Sequence, residues 1–377
     1  MAYGQVNADV IGTSVSGSNL GAGNASIMKN RLINGSMTID QRNAGASVTV
    51  TGDPTYTLDR WGGSCSVASK YSIQQNAGSV TPPVGFTNYL GVTSLSSYSV
   101  GSSDYFNLTQ AIEGYNIADL GWGTANAKSI TVSFWVYSSL TGTFGMSIRN
   151  SAVNRNYQAA YTISSANTWQ QISITIAGDT SGTWLTTNGV GLRLGFGLGI
   201  GSTYSTTAGT WSAGNLFGLT GATSVVGTNG ATFYITGVQL EVGSSATGYE
   251  YENYTSLLQK CQRYYEKSFD TTTAPANGLG TNGRLVGAYV AGDLYCCGSP
   301  FKVTKRATPT ITAYAGSSGS GSTGQWNYFT GSAWNYNTVI FSDTNTNGFE
   351  GRVGSPSGLS SNNCYMVDGN WTASAEL

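Results

Sequence analysis

Residues 231–267, ATFYITGVQLEVGSSATGYEYENYTSLLQKCQRYYEK, contain one predicted strand, a short aromatic linker and one predicted helix. In a regular strand Phe233 and Ile235 share one face, whereas Val238 and Leu240 fall on the other. Gly237 lies where the apolar face changes, and this pattern predicts a β-bulge. We therefore expect a long, bulged strand to complete one β domain just before the linker.

The second half of this stretch predicts an amphipathic helix. Its apolar side chains recur at i, i+3, i+4, i+7, i+10 and i+11, which is one face of a helix: Tyr254, Leu257, Leu258, Cys261, Tyr264 and Tyr265. We expect Thr255 or Ser256 to cap the first turn. A single helix between two β domains must bury this stripe against its own sheets or against symmetry-related copies. The stripe is therefore predicted to form the domain joint and to lie near the axis of a homotrimer.

The composition indicates an all-β protein. The chain has 377 residues, with 52 glycines and 23 tyrosines but only 9% charged residues, whereas globular proteins average about 25%. Few charges, abundant Thr, Tyr and Val, and glycine-rich turns are typical of many short strands. The length allows two domains, each with its own core.

Five segments alternate apolar and polar residues with the period of a strand. Their inward faces are Phe106, Leu108 and Ile112; Ile130, Val132, Phe134 and Val136; Phe144, Met146 and Ile148; Ile172, Ile174 and Ile176; and Val190, Leu192, Leu194, Phe196 and Leu198. Strands with one apolar face each need a second sheet to cover them, which predicts a jelly-roll β-sandwich.

The last of these segments has a nearly bare opposite face. It consists of Gly191, Arg193, Gly195 and Gly197. Such a face lets another backbone or a flat ligand come close, and tight sheet packing or a subunit contact would require the same pattern.

We predict four regions along the chain. Residues 1–28 form an N-terminal arm, 29–250 the jelly roll, 251–267 the linking helix and 268–377 a second, smaller β-sandwich-like domain. The arm consists of small and polar residues that cannot bury a core alone. It is either a flexible tail or a segment that orders against a partner, and we favour docking.

Charge and hydropathy exclude several partners. The formal net charge is −1 and no basic cluster occurs, so we expect neither nucleic-acid binding nor attraction to an anionic membrane. No run approaches the ~20 apolar residues of a membrane span, and MAYGQVNADV lacks the features of a signal peptide. The odd set of five cysteines predicts buried free thiols in a reducing compartment: Cys65, Cys261, Cys296, Cys297 and Cys364.

The sequence offers little for catalysis or for a cofactor. Histidine is absent, which excludes Ser-His-Asp and Cys-His catalysis and the commonest zinc sites. A carboxylate pair of the glycosidase type remains, for which Glu113 and Asp119 are the nearest candidates. Glu241 is a weak candidate for a structural Ca²⁺, with carbonyl groups near Asn34 as further ligands. We predict a non-enzymatic protein without a cofactor.

Aromatic residues are the better candidates for binding. One set surrounds the turn FTGSAW, and another lies on the outer face of a predicted strand: Trp326, Tyr328, Trp334 and Tyr336, and Trp135 and Tyr137. Aromatic faces beside polar groups suit sugar rings, which have apolar C–H faces and hydroxyl edges. The same residue types also fill sandwich cores and oligomer interfaces.

Four blocks together resemble a recurrent module of tailed-phage virion proteins. They are NRLINGSMTIDQRNAG (30–45), YTLDRW (56–61), ITVSFWVY (130–137) and GVQLEVGSSATGYEYENYTSLLQKCQRYYEK (237–267). In such proteins a jelly roll similar to carbohydrate-binding modules is followed by the CQRYYE helix and a small β tip. The resemblance covers most of residues 29–267, and the final NWTASAEL is similar in style.

The resemblance implies a fibre, spike or decoration protein, commonly trimeric, that is assembled in the host cytoplasm and located on the virion. Our hypothesis is a non-enzymatic structural protein of a tail or head fibre. The arm of residues 1–28 would dock it to other virion proteins, and its β domains would contact host-surface glycans. The alternatives are a polysaccharide-degrading appendage, a decoration protein without receptor binding, and a bacterial adhesin, which would need an export route.

Overall fold

The computed structural model describes residues 28–280, 284–296 and 298–377. In these ranges the chain forms 24 strands and one α-helix, so the predicted all-β class is confirmed. The first fifteen strands are β1 (Val48–Thr49), β2 (Thr55–Leu58), β3 (Trp61–Cys65), β4 (Tyr71–Gln75), β5 (Leu90–Ser94), β6 (Tyr105–Glu113), β7 (Ile130–Ser138), β8 (Gly142–Arg149), β9 (Arg155–Ile163), β10 (Gln170–Ile176), β11 (Val190–Ile200), β12 (Ser205–Thr206), β13 (Trp211–Ala213), β14 (Gly218–Leu219) and β15 (Thr232–Val242).

The α-helix and the remaining strands follow. They are α1 (Tyr254–Gln262), β16 (Tyr265–Lys267), β17 (Leu285–Val290), β18 (Asp293–Cys296), β19 (Ser299–Pro300), β20 (Thr310–Ala315), β21 (Gln325–Phe329), β22 (Trp334–Ser342), β23 (Gly348–Val353) and β24 (Cys364–Ser374). Four short 3₁₀ turns are Ala77–Ser79, Gly114–Asn116, Ala118–Leu120 and Ser202–Tyr204.

The described chain divides into two compact units. Unit 1 contains residues 28–36, Thr81–Tyr89 and Thr93–Tyr251, and unit 2 contains Met37–Val80, Leu90–Val92 and Glu252–Leu377. Unit 2 therefore takes an early segment of the chain together with the helix and the C-terminal strands. The domain boundaries expected from the sequence stay a prediction, and residues 1–27 of the predicted arm lie outside the described residues.

Unit 1 is a sandwich of two antiparallel sheets. One contains β15, β7 and β10 in that order, and the other contains β13, β9, β8, β11 and β6. Phe134 of β7 packs against Phe196 of β11 with ring centroids 5.0 Å apart, and Phe144 of β8 lies 5.9 Å from Phe233 of β15. The predicted inward residues of four of the five segments are buried, except for Val190; in β10 only Ile176 is buried fully.

The long strand β15 carries the predicted bulge. Its register against β7 shifts between Thr236 and Gln239. Gly237 has φ +60°, and a β-carbon there would lie 2.5 Å from the ring of Phe86. Only glycine suits this conformation and this contact. The shift brings Leu240 opposite the inward-facing Val132, so the apolar residues on both sides of the bulge face the same core.

Residues 30–36 run beside β15 without forming a strand. Arg31 N donates to Leu240 O at 2.9 Å, and Val238 N donates to Gly35 O at 2.9 Å. The buried amide of Gln110 accepts from Ile33 N and donates to Ile33 O, both at 2.9 Å. These bonds satisfy backbone groups that would otherwise be buried without partners.

Unit 2 contains a closed ring of six strands. Their antiparallel pairing runs β24-β17-β18-β23-β22-β21, and β21 pairs again with β24. The predicted smaller C-terminal β domain is therefore present, and the pairing closes its sheet into a small barrel. The barrel surrounds a core that includes Leu294, Trp326, Val339, Val353 and Val367. At Gly369, β24 passes against the indole of Trp326, where a side chain would collide.

The helix α1 is shorter than the apolar stripe predicted. It ends at Gln262, and Tyr265 already pairs with Ser374 of β24 because the chain enters β16 there. Asn253, not Thr255 or Ser256, is the N-cap, and its side chain accepts from Thr255 N at 2.9 Å.

The apolar stripe of α1 is largely buried within this chain. Leu257, Cys261, Tyr264 and Tyr265 are buried, Leu258 is half-buried and Tyr254 is 50% exposed. Only the exposed end of the stripe, at Tyr254, is therefore available for contact with other copies at the axis of a homotrimer. The oligomeric state stays a prediction.

The cysteines follow the prediction with one difference. Within the described ranges Cys65, Cys261 and Cys296 are buried free thiols, whereas the free thiol of Cys364 is exposed. Cys297 lies outside those ranges. None of the helices described has the length and the apolar character to span a membrane.

Candidate functional site

The outer face of the sheet β15-β7-β10 in unit 1 carries five aromatic residues, which we call the aromatic strip: Tyr89, Trp135, Tyr137, Trp169 and Tyr234. The apolar residues of β7 at even positions point into the sandwich, so Trp135 and Tyr137 at odd positions point outward. Tyr234 of β15 lies directly opposite Tyr137 in the ladder. Trp169 comes immediately before β10, and Tyr89 immediately before β5.

Four of these rings form one continuous stack. Tyr137 and Tyr234 are parallel within 6°, with centroids 5.3 Å apart. Tyr89 stacks on Tyr234 at 5.1 Å, and Trp169 lies 5.5 Å from both Tyr89 and Tyr137. Offset and edge-on arrangements of this kind add about 0.5–1.5 kcal/mol per pair beyond area burial. The rings therefore hold one another in place before any ligand arrives.

The strip presents apolar ring surface next to polar groups. Within the strip Tyr89 and Tyr234 are buried, whereas Trp135, Tyr137 and Trp169 are half-buried and retain some exposed ring surface. The Trp169 indole N–H donates to Thr81 O at 2.9 Å, which fixes its ring. Burial raises the pKa of the Tyr234 hydroxyl, so this group stays neutral at physiological pH.

Hydroxyl and amide side chains border the strip. Gln171 of β10 and Thr236 of β15 flank Trp135 on either side in the ladder. Gln171 and the neighbouring Ser173 are exposed. Thr236 donates its hydroxyl to Asn88 O at 2.7 Å. Flat apolar faces edged by neutral hydrogen-bonding groups match the two kinds of surface on a sugar ring.

The structure brings together only part of the predicted binding set. Trp135 and Tyr137 share the strip. Trp326 and Tyr328 belong to the barrel core of unit 2, 0% and 1% exposed, so they present almost no surface to a sugar. The physical reason is that β21 lies in the closed ring and turns these side chains inward.

The other two predicted aromatics of unit 2 remain near its surface. Trp334 is half-buried, with the guanidinium of Arg284 5.0 Å from its ring centroid and Phe329 at 5.3 Å. Tyr336 is 48% exposed. Their role as a glycan contact stays a prediction.

Sequence reasoning missed three members of the strip. Tyr234 could have been predicted, because it alternates with the inward-facing Phe233 and Ile235 in residues 231–267. Tyr89 and Trp169 precede their strands in irregular segments, where no periodicity indicates which way a side chain points.

The carboxylates considered for catalysis serve other contacts. Asp119 accepts two hydrogen bonds from the Arg31 guanidinium, both at 2.8 Å. Glu113 is 2% exposed at the end of β6. Asp179 likewise holds Arg155 in a two-point ion pair. A glycosidase needs one carboxyl free to donate a proton, whereas both carboxylate oxygens of Asp119 and of Asp179 accept hydrogen bonds from a guanidinium group.

The Glu241 carboxylate, the weak Ca²⁺ candidate, accepts three hydrogen bonds. It accepts from Gln239 Nε2 at 2.9 Å, Thr247 N at 2.8 Å and Thr247 Oγ1 at 2.7 Å. This donor set ties β15 to the following loop and leaves little acceptor capacity for a cation. In the described ranges no group of three or more His, Cys, Asp and Glu residues is placed to hold a metal.

The glycine face of β11 has two different environments. A β-carbon at Gly191 would lie 2.6 Å from Ile117, and one at Gly195 would lie 2.9 Å from Ser147 Oγ. Tight packing thus explains these two positions. At Gly197 the nearest atom to a β-carbon would be Ile200 Cγ1 at 3.4 Å, and the residue lines an open cleft.

Comparison with known proteins gives matches at the level of solved structures. No family profile matches the sequence, and no curated protein sequence matches it. The enzymatically active domain of tailspike protein 4 from bacteriophage CBA120 is 13% identical, with a TM-score of 0.32; the match covers 57% of this chain and 22% of that one. The chain thus matches less than a quarter of the tailspike domain.

Carbohydrate-binding modules also match. The family 11 module from Clostridium thermocellum, solved with a mixed-linked tetrasaccharide, is 12% identical with a TM-score of 0.26, covering 53% of this chain and 96% of that one. The tandem module of Paenibacillus barcinonensis Xyn10C is 10% identical with a TM-score of 0.25, covering 89% and 99%. Scores this low carry no argument about what this chain does.

Proposed function

We propose that this chain is a non-enzymatic structural protein of a tailed-phage virion that contacts host-surface glycans through the aromatic strip. The observation that carries the glycan contact is the cluster of rings on the outer face of β15 and β7, with Trp135, Tyr137 and Trp169 half-buried and Gln171 and Ser173 exposed beside them. The virion assignment rests on the resemblance of the four sequence blocks to phage virion proteins.

The strip suits a saccharide better than other ligands. None of its five residues is charged, so the strip offers no cationic side chain to pair with a phosphate group. Its half-exposed rings lie on a sheet face rather than in a deep pocket, which suits a chain of sugar units passing along the surface. Sugars bind such surfaces through C–H contacts with the rings and hydrogen bonds at the edges.

The first test is loss of glycan binding on removing exposed rings. We expect Trp135→Ala and Tyr137→Ala each to weaken binding of the full chain to host-surface polysaccharide by about 2–10-fold, because one ring contact is worth about 0.5–1.5 kcal/mol. Binding is measured by calorimetry or on a glycan array. Tyr115→Ala, which removes a 60% exposed tyrosine elsewhere in unit 1, is the matched control.

Two results would contradict the proposal. One is equal binding by the strip variants and the Tyr115→Ala control while all remain folded. The other is release of reducing ends from the polysaccharide by the purified chain, with loss of that release on Glu113→Gln or Asp119→Asn. That outcome would establish the degrading appendage instead.

A further inference from the structure

A cleft of about 360 Å³ lies on the other sheet of unit 1, away from the aromatic strip. Its floor is formed by outward-facing glycines of two neighbouring strands, Gly145 of β8 and Gly197 of β11. Its volume is at the lower end of the ~300–1,000 Å³ typical of small-molecule sites. The cleft is therefore large enough for one small ligand and too small for a folded partner.

The two glycines of the floor have different roles: Gly145 permits close packing, and Gly197 leaves space open. A β-carbon at Gly145 would lie 2.7 Å from Leu219 Cβ, so this glycine is required by the packing of the covering segment. A β-carbon at Gly197 would meet only Ile200 Cγ1 at 3.4 Å and Gly145 O at 3.8 Å. Packing tolerates a side chain at Gly197, and glycine there leaves the cleft deeper than the fold demands.

The walls of the cleft are fixed by hydrogen bonds that their backbone N–H groups donate. Gly101 N donates to Asp104 Oδ2, and Gly201 N donates to Asp104 O, both at 2.8 Å. On the other side Thr223 N donates to Thr143 O at 2.7 Å. A preformed cleft costs a ligand less ordering free energy than one that must close around it.

The chemistry of the lining is neutral and mixed. Among the residues that the structure describes, no acidic or basic side chain lines the cleft; Ser102, Ser202, Thr223 and Ser224 contribute hydroxyl side chains. Within the described part of the chain the buried Ser224 Oγ has no hydrogen-bond partner. Val100, Ile200 and Leu219 add apolar surface. Neutral hydroxyl side chains beside apolar surface suit a ligand with hydroxyl or amide groups.

We propose that this cleft is a second carbohydrate subsite that binds one uncharged sugar unit, a neutral hexose or an N-acetylhexosamine. The inference deepens the proposed glycan contact and rests on it for the class of ligand. The hydroxyl side chains and exposed peptide groups supply donors and acceptors for the sugar hydroxyls. The apolar side chains accept its C–H face or acetyl methyl group. A uronic acid would have to lose its hydration without gaining a cationic partner.

The test fills the cleft from its floor. Gly197→Ala and Gly197→Val place one and three carbons into the open space, whereas Gly248→Ala, with nothing within 4 Å of its β-carbon, is the matched control. Binding of glucose, N-acetylglucosamine and glucuronic acid to the full chain is measured by ligand-observed NMR and calorimetry. Thermal unfolding verifies that each variant is folded. The valine variant fills more of the cleft. If valine disturbs the folding of β11, the alanine variant still measures the effect of filling the cleft.

The wild-type chain is expected to bind a neutral sugar at least tenfold more tightly than glucuronic acid. Gly197→Val should weaken that binding at least tenfold and Gly197→Ala severalfold, with Gly248→Ala unchanged. Undetectable binding of both neutral sugars, equal binding of glucuronic acid, or neutral-sugar binding unaffected in a folded Gly197 variant would overturn the subsite.

Variants of the aromatic strip test the strip and the cleft separately. Under the proposal Trp135→Ala retains monosaccharide binding in the cleft while losing affinity for polysaccharide. If Trp135→Ala abolished monosaccharide binding and Gly197→Val did not, the cleft would be excluded and the strip would stand. If the strip variants left polysaccharide binding intact and Gly197→Val removed it, the strip would be excluded and the cleft would stand.

Discussion

At the residue scale, Gly237 is a position where the sandwich requires the absence of a side chain. Its φ of +60° and the 2.5 Å approach of the Phe86 ring act together. We expect Gly237→Ala to lower the free energy of unfolding by about 2–4 kcal/mol, combining left-handed strain with overpacking. Gly230→Ala isolates the strain, because Gly230 has φ +75° with nothing within 4 Å of its β-carbon. Urea unfolding of both variants measures the difference, and equal losses would contradict a role for Phe86.

A second residue-scale prediction concerns Asp59. Its carboxylate is buried and accepts from Gln41 N and Gln41 Nε2, both at 2.7 Å. Burial raises the pKa of Asp59 from 3.8 to about 6 against the lowering effect of Arg42, and Glu376 adds to the increase. Between about pH 4 and pH 6 the native chain holds a proton that the unfolded chain releases. This group therefore makes the free energy of unfolding fall as pH rises through that window.

Replacing Asp59 with asparagine should remove this decrease. We expect the stability of wild type relative to Asp59→Asn to drop by roughly 1–3 kcal/mol from pH 4 to pH 6.5 and to level off above that. Urea unfolding at several pH values measures it, with Asp343→Asn, at an exposed position, as the control. A difference that stays nearly constant or rises slightly over the same range would show that the buried carboxylate is ionised throughout and would contradict the prediction.

At the scale of elements, the N-terminus of α1 gives a prediction that separates structure from sequence pattern. Asn253 caps the helix by accepting from Thr255 N. Asn253→Ala should lower the free energy of unfolding by about 0.5–2 kcal/mol. Asn253→Ser should retain most of the wild-type stability, because serine also caps helices well. Ser256→Ala, at the position that the pattern also allowed as a cap, should stay within about 0.5 kcal/mol of wild type. A larger loss at Ser256 would place the helix start later in the chain.

Much of the element order was predictable from periodicity. The alternation around Phe134 and Phe196 identified the sandwich strands, and the misplaced phase around Gly237 identified the bulge. These features follow from side chains facing a single core. The end of α1 was not predictable, because the apolar stripe continues through Tyr264 and Tyr265 while pairing with β24 converts the chain to a strand.

The site was less predictable than the fold. Trp135 could be placed on the outer face of its strand, since its neighbours in sequence alternate inward. Trp326 alternates equally well, but only the closing pair of β21 with β24 determines that its face is the interior of a barrel. Such closure is a long-range property that no local window of sequence contains. The same is true of the stack that joins Tyr89 to Trp169.

At the scale of the whole molecule, the proposed virion role predicts that residues 1–28 are needed for incorporation into the virion but not for folding. Deleting residues 1–28 should abolish incorporation into particles and leave a folded chain, because the proposed docking contacts would be lost and the β units keep their own cores. Particle composition by mass spectrometry tests incorporation. Sedimentation of the purified deletion and the full chain is expected to give the same trimer. Normal incorporation of the deletion, or a monomer at micromolar concentration, would contradict the assignment.

The closed ring of six strands in unit 2 has a consequence for crowding. A β-sheet that ends in an open strand offers unpaired N–H and C=O groups to any neighbouring chain. In the ring, β21 and β24 use those groups on each other. When many identical copies lie side by side, these two strands therefore offer no unpaired edge between them through which neighbouring copies could associate into fibrils. Under the proposed virion role, this closure favours dense packing of unit 2 without pairing between the ring strands of neighbouring copies.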